Sequence, residues 1–471
     1  MRTYQYCIYI FTLLVMTLYS CNKEWLEVKA DAQQAVPTTN KDFQALLDQS
    51  VRMNNFLISL GEVAADGHYV DESAWNSADA IAKNAYTWSH DLPYRDVVSW
   101  LGIYNRIFNN NIVLDGMTKR IDPVSEDDKF VLGQALFNRS VAFWSVAQHY
   151  CNPFNNNTAS SELGIPLRLN IDLAEQSKRS TVMQTYGQIL SDLKTSATYL
   201  PKDTPYPTRP DKAAAFAMLA RTYLSMSIYD SAYVYSNRSL ELENDLIDFT
   251  ELSESQPNFG LFPKEVLFHD VLYTGEVSGF LTRNYLVDST FYDSYDENDL
   301  RKIILFSKNN NLVTFKGNYN DNADELFAGL AVDEMYLVRA ECLVRLGKID
   351  EGLNDLNYLL KKRYKKSVDG TSLFEDYTAV GETEALQYVL QERRKELILR
   401  GLRWSDLRRL NSDERFDVTI DRIVDDELIT LLPGSKRYTF PIPDDVIEQS
   451  GMTQNMMFLP PTKVRVINIE K

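Results

Sequence analysis

Two carboxylates, Glu392 and Glu396 in QERRKELILRGLRWSDLRRL, are the residues of this chain best spaced for acid–base work. Helical i,i+4 spacing sets them on one face. Hydrolysis of a glycosidic bond needs two such groups close together, one to protonate the leaving oxygen and one to act as base or nucleophile. Against that reading, Arg393, Arg394 and Lys395 interleave with them, and Arg400 lies four residues beyond Glu396, the spacing of an ordinary helical ion pair. A carboxylate tied to arginine stays ionised and makes a poor general acid. The pair therefore reads as structural, and no catalytic residue is assigned. The four histidines, His68, His90, His149 and His269, are not at metal-ligand spacing. HExxH, a Gly-rich phosphate loop and a GxSxG elbow are all missing from the sequence. No metal site and no cofactor are expected.

The elements that would carry a site are mostly helical. Trp100, Tyr104, Ile107, Asn111 and Leu114 recur at steps of three and four, one face of a helix. Leu132, Leu136, Phe143, Ala147 and Tyr150 make a second stripe, and Phe137, Val141 and Trp144 give that same helix another apolar face, so it should be packed on both sides. Further helices are predicted over 181–199, 212–225, 231–240, 332–346, 350–362 and 383–400, with a shorter one near 42–58. The stretch from Gly61 to Pro93, with Trp75, Tyr86 and Trp88 embedded, reads as loop.

Ala220–Leu240 lies over Ala340–Leu360 without a gap, sharing Ala220/Ala340, Asp230/Asp350, Asn237/Asn357 and Leu240/Leu360. Both follow one plan: helix, tight turn, Asp near the start of the second helix, and a small residue (Ala232, Gly352) just inside it. That is the plan of tetratricopeptide hairpins, in which small residues let neighbouring helices approach. The expected fold is mostly α, a tetratricopeptide-like helix-hairpin bundle with long loop insertions and a few short strands. Its hairpins fall at about 94–240 and 332–410, with an insertion at about 241–331.

The chain has 471 residues and a net charge of −17, which makes it a poor ligand for phosphate backbones, so no nucleic-acid partner is expected. One apolar run, Ile8 to Leu18, is too short to span a bilayer and reads as a secretory signal. Its ending, Leu18-Tyr19-Ser20-Cys21, looks like a lipobox with Cys21 as the lipidated residue. The expected organisation is a signal over 1–20, a tether over 21–40 and a single domain over 41–471. Only Cys151 and Cys342 remain beyond the lipidation site, too few for a disulfide framework, and Cys342 reads as a small core residue.

Several blocks, in order, resemble the SusD/RagB outer-membrane lipoproteins of Bacteroidetes. Trp100-Leu-Gly-Ile-Tyr104 with Asn111 is similar to the family's first long helix. Ala135–Arg139, running to Tyr150-Cys-Asn-Pro153 and Gly164-Ile-Pro166, is similar to its second, although the family usually has Gly where Cys151 stands. Arg179-Ser-Thr181 to Leu200-Pro201 and Lys212–Leu224 follow. Glu392-Arg-Arg-Lys-Glu-Leu397, then Gly401-Leu-Arg-Trp404-Ser-Asp-Leu-Arg-Arg409, resembles the family's ERR.EL…G.RW.DLRR signature; Phe440-Pro-Ile-Pro443 with Gln454-Asn455 resembles its C-terminal motif. The resemblance implies a non-enzymatic lipoprotein, exposed on the cell surface and anchored in the outer membrane. Such a protein captures oligosaccharide, or in some members peptide, and passes it to a SusC-like TonB-dependent transporter. The competing readings are a tetratricopeptide scaffold for protein partners and, behind it, a glycoside hydrolase.

Sugars pack their C–H faces on aromatic rings, with polar groups fixing orientation. Trp100, Phe143, Trp144 and Trp404 lie on periodic helices and read as core. Trp75, Tyr86 and Trp88 lie in the irregular stretch, and Tyr273, Tyr285, Tyr292 and Tyr295 in the insertion. The resemblance implies a site built from these two regions. The expected ligand-binding residues are Trp75, Trp88, Tyr285 and Tyr292, with Asp66 and Asn284 as polar partners.

Overall fold

In the computed structural model of the protein, residues 37–119, 125–254, 259–281, 285–320, 322, 324–456 and 463–465 are described. Cys21, with the signal and most of the tether, lies outside them, as does Asn284.

Nine helices carry the scaffold: α1 (Val98–Thr118), α2 (Glu126–Tyr150), α3 (Val182–Tyr199), α4 (Lys212–Ser225), α5 (Tyr229–Leu240), α6 (Val332–Arg345), α7 (Ile349–Lys361), α8 (Glu382–Glu396) and α9 (Arg403–Leu410). Three of these helix starts are set by side-chain caps. Ser125 and Asp128 form a capping box on α2, Thr181 and Gln184 another on α3, and Asp211 caps α4. α2 packs between α1 and α3, α3 meets α4, and the α4–α5 hairpin stacks on the α6–α7 hairpin through α5 and α6. Every residue of α2 from Phe137 to Tyr150 is buried, as its two apolar faces require.

The two hairpins share their turn atom for atom. Ser227 and Gly347 occupy equivalent places with φ of 58° and 80°. Ile228 N donates to Tyr223 O at 3.0 Å, and Lys348 N to Leu343 O at 2.9 Å, the six-to-one bond of a Schellman cap. Gly352 shows why the second hairpin needs a small residue: a Cβ there would lie 2.7 Å from Ala340 O and 2.7 Å from a Val344 methyl. The fold is mostly helical and tetratricopeptide-like, with short strands between the hairpins.

Bidentate arginines fasten the joints of the stack. Arg139 of α2 holds Asp192 of α3 at 2.8 and 2.9 Å, Arg339 of α6 holds Asp355 of α7 at 2.7 and 2.8 Å, and Arg409 of α9 holds Glu341 of α6 at 2.6 and 2.8 Å. Trp100, Phe143, Trp144 and Trp404 are all core residues, and one hydrophobic cluster runs from Leu57 to Ile442. The C-terminal motif is a staple on α2. Phe440 N donates to His149 O at 2.8 Å, and the Asn455 amide donates to Tyr150 O and Phe440 O at 2.9 and 2.7 Å.

Three predicted elements differ. The helix expected near 42–58 is Asn40–Leu47 and Ser50–Met53 followed by a strand, Asn55–Ile58, which pairs in parallel with Val271–Tyr273 of the insertion. A tertiary partner far along the chain decides its conformation. Helix α8 stops at Glu396, four residues early, because Leu399 and Gly401 take positive φ (55° and 73°) in the turn into α9. The stretch 61–93 is not loop: it holds helices Leu60–Ala64, Glu72–Ser77 and Ala80–Thr87 and the strand His68–Tyr69.

Candidate functional site

The stretch 61–93 and the insertion are joined directly. His68 and Tyr69 pair antiparallel with Val287 and Leu286, in a four-stranded sheet completed by Leu312–Phe315 and Phe306–Asn309. A second bridge comes from a hairpin near the C-terminus, β1 (Ile420–Val424) and β2 (Glu427–Leu431), whose turn is Asp425-Asp426. Residues 70–86 and this hairpin line a cleft of about 500 Å³.

Its wall is helix Glu72–Ser77, started by Asp71, which accepts from Ala74 N at 2.7 Å. That helix presents Trp75, half-buried. The indole N–H donates to Asp425 Oδ2 at 3.3 Å, Phe280 lies nearly parallel to the ring (11°, centroids 6.2 Å apart), and Lys83 Nζ stands 5.5 Å from the ring centre. Tyr86 closes the floor, edge-on to Phe280 at 5.4 Å. Beneath it the Arg422 guanidinium lies 3.8 Å from the Tyr86 ring centre and 4.5 Å from that of Trp88, and donates to Val63 O and Ala65 O at 2.9 and 2.6 Å. Burial lowers Arg422 to about 10, still cationic at neutral pH. Asp71, Glu72, Asp425 and Asp426 rim the opening, with Val70, Val424 and Ile423 between them. The result is an aromatic surface with a hydrogen-bonding, acidic margin, suited to a polar ligand with a flat apolar face.

The expected residues divide. Trp75 lines this cleft. Trp88 does not: it is 5% exposed and its indole N–H donates to Ala64 O at 2.9 Å. Tyr285, 3% exposed, stacks on His68 (4.8 Å, 21°). Tyr292 is buried edge-on to Phe306, with Lys302 and Lys308 5.2 and 5.0 Å from its ring centre. Asp66 accepts two bonds from Arg403 at 2.6 and 2.9 Å and lies 3.0 Å from Arg394. Burial alone would raise its pKa, but the two guanidiniums outweigh this and hold it far below the usual carboxylate range. Asp66, Trp88, Tyr285 and Tyr292 therefore do not line this cleft; Asp66 and Tyr285 line a smaller pocket beside Arg394 and Arg403. Tyr86, Ile423, Asp425 and Asp426 complete the cleft, and the buried Phe280 backs Trp75 and Tyr86. The hairpin's only sequence signal is two short runs rich in β-branched residues, IDRIV and ELITL, around a two-residue Asp-Asp turn, without strict alternation.

The carboxylate pair of α8 is closed to substrate. Glu392 is 1% exposed and ion-pairs with Arg301 and with Lys395 at 2.9 Å; Glu396 accepts from Arg301 at 3.0 Å and Arg363 at 2.7 Å. Arg400, expected to pair with Glu396, binds Asp333 at 3.1 Å instead. Burial would raise Glu392, yet Arg301 and Lys395 keep its pKa below the ordinary value. Among the described residues no three His, Cys, Asp or Glu side chains converge as a metal site.

This cleft is carried on a mostly helical, tetratricopeptide-like scaffold that known proteins share. A family model described as starch-binding, associating with outer membrane, matches residues 24–224, and the SusD family model matches residues 278–458. The chain is a member of the SusD/RagB family. Among solved structures, a putative sugar binding protein from Bacteroides vulgatus ATCC 8482 is similar at 21% identity and TM-score 0.72, covering 90% of this chain and 99% of its own. A SusD superfamily protein from Bacteroides thetaiotaomicron VPI-5482 has 20% identity and TM-score 0.69, covering 89% and 100%. A SusD-like carbohydrate binding protein from Bacteroides vulgatus has 19% identity and TM-score 0.66, covering 88% and 97%. No curated protein matches the chain.

Proposed function

We propose that the protein captures oligosaccharide at the outer surface of the outer membrane and delivers it, unaltered, to a SusC-like TonB-dependent transporter. Lipidated Cys21 is its anchor, and residues 41–471 act as one domain. The observation that carries ligand capture is the half-buried Trp75, presented in a 500 Å³ cleft with an acidic, hydrogen-bonding rim. The continuous hydrophobic core supports the single domain. The burial of Glu392 and Glu396 under arginines supports binding without turnover, since neither is open to a substrate and Arg301 and Lys395 hold Glu392 ionised. Peptide is the second ligand class, because an aromatic face with carboxylate neighbours also suits an apolar or basic side chain.

Three measurements on the full chain test this. Detergent extracts of outer membrane should yield the protein together with a TonB-dependent transporter. Cys21→Ala should move it to the soluble fraction. Oligosaccharides incubated with it should bind saturably and be recovered at their original length; shortened products, or purification without any transporter, would contradict the proposal.

A further inference from the structure

Resting on the reading of the Trp75 cleft as the saccharide site, we propose that this cleft selects by charge: it accepts neutral and amine-bearing saccharides and rejects those carrying carboxylate or sulfate.

Four carboxylates, Asp71, Glu72, Asp425 and Asp426, stand exposed around one half-buried indole. Among the described residues none of the four has an ion-pair partner. Their polar contacts are with uncharged donors: Asp71 accepts from Ala74 N at 2.7 Å and Asp425 from the Trp75 indole at 3.3 Å. The cation beneath them, Arg422, is buried, and its donors are spent on the carbonyls of Val63, Ala65 and Tyr86. Lys83 stands by the Trp75 ring at 5.5 Å, one ammonium against four carboxylates. The cleft therefore carries local negative charge on a chain whose net charge is already −17. Each carboxylate met at contact distance in water changes the affinity of a charged ligand by about fivefold, in favour of an ammonium and against an anion. Lys83 also demonstrates the fit, since an ammonium beside an indole face gains from the ring quadrupole and a ligand amine would gain in the same way.

The hairpin turn supplies a clean test. Asp425 and Asp426 have φ of 51° and 61°, the two positive values of a type I′ turn. Asn-Gly is the pair that turn favours. Asp425→Asn/Asp426→Gly thus removes two charges while keeping the turn, and the amide oxygen of the introduced asparagine can still accept from the indole.

The experiment screens the full chain on an array of neutral, amine-bearing and uronate- or sulfate-bearing oligosaccharides. Matched amine and uronate chains are then titrated at about 0.01 M and about 1 M salt, where screening lengths are roughly 30 and 3 Å. The expected result is an amine-over-uronate preference of about tenfold or more at low salt, mostly lost at high salt, and cut about fivefold or more by the double variant. Glu72→Gln should lower it further. Uronate chains binding as tightly as amine chains at low salt, or an unchanged ratio in the double variant, overturns the charge selection and leaves saccharide binding standing. An array on which nothing binds overturns both.

Discussion

Trp75 and Asp425, 350 positions apart, are joined by a hydrogen bond from the indole Nε1 to a carboxylate oxygen at 3.3 Å. One lies on a two-turn helix ahead of the first long helix of the scaffold, the other in a two-residue turn near the C-terminus. Their meeting closes the cleft, and neither segment alone has enough periodic sequence to announce it.

The two tryptophans of the first region should behave oppositely. Trp88 is a core residue, so Trp88→Ala should lower stability by about 3–5 kcal/mol, read as a drop in the urea midpoint. Trp75 is half-buried at the cleft, and Trp75→Ala should cost clearly less in the same measurement. Equal losses for both would place Trp75 in the core.

Removing Arg301 leaves Asp299, Glu392 and Glu396 facing one another without the cation that holds them. Breaking a buried ion pair from one side costs about 3–5 kcal/mol. Arg301→Ala should therefore be among the most destabilising single changes, seen as a melting temperature lowered by several degrees. A melting curve superimposable on the wild type would show that Arg363 and Lys395 suffice.

Glu62, on helix Leu60–Ala64, has a pKa pushed up to about 7 by burial, against backbone N–H donors at Gly401 and Arg403. The folded state binds this proton more tightly than the unfolded chain, so the contribution to stability is full below about pH 4.5 and is lost as pH rises through about 7. Glu62→Gln, which stays neutral, should gain about 1–3 kcal/mol over wild type at pH 8 and almost nothing at pH 4. Urea unfolding at the two pH values decides; an equal gain at both would exclude the titration as cause.

Gly352→Val should destabilise by about 1–3 kcal/mol, because its Cβ meets the fixed Ala340 carbonyl, whereas the exposed φ-positive Gly347→Asn should be mild. Chemical denaturation of the pair checks whether close helix approach or turn geometry governs the second hairpin.

Much of the scaffold was legible because long helices repeat their pattern. Lys212–Ser225 begins and ends as read, and the matched hairpins have the same turn. The site was less legible. Glu72–Ser77 is too short for periodicity to separate from loop, and Trp88 sits beside it in sequence yet points into the core. Both tryptophans look alike as letters; only the Ala64 carbonyl that takes the Trp88 N–H tells them apart. Likewise Asp66 looks like a free ligand contact until Arg403 and Arg394 are placed around it.

The most direct test of the central claim is titration of the full chain with an oligosaccharide selected on the array, comparing wild type with Trp75→Ala by calorimetry. Saturable heat in the wild type, an affinity at least about fivefold weaker in Trp75→Ala, as the loss of a contact of about 1 kcal/mol or more requires, and little change in melting temperature are predicted. The same affinity in both proteins would show that the Trp75 cleft is not where the ligand binds.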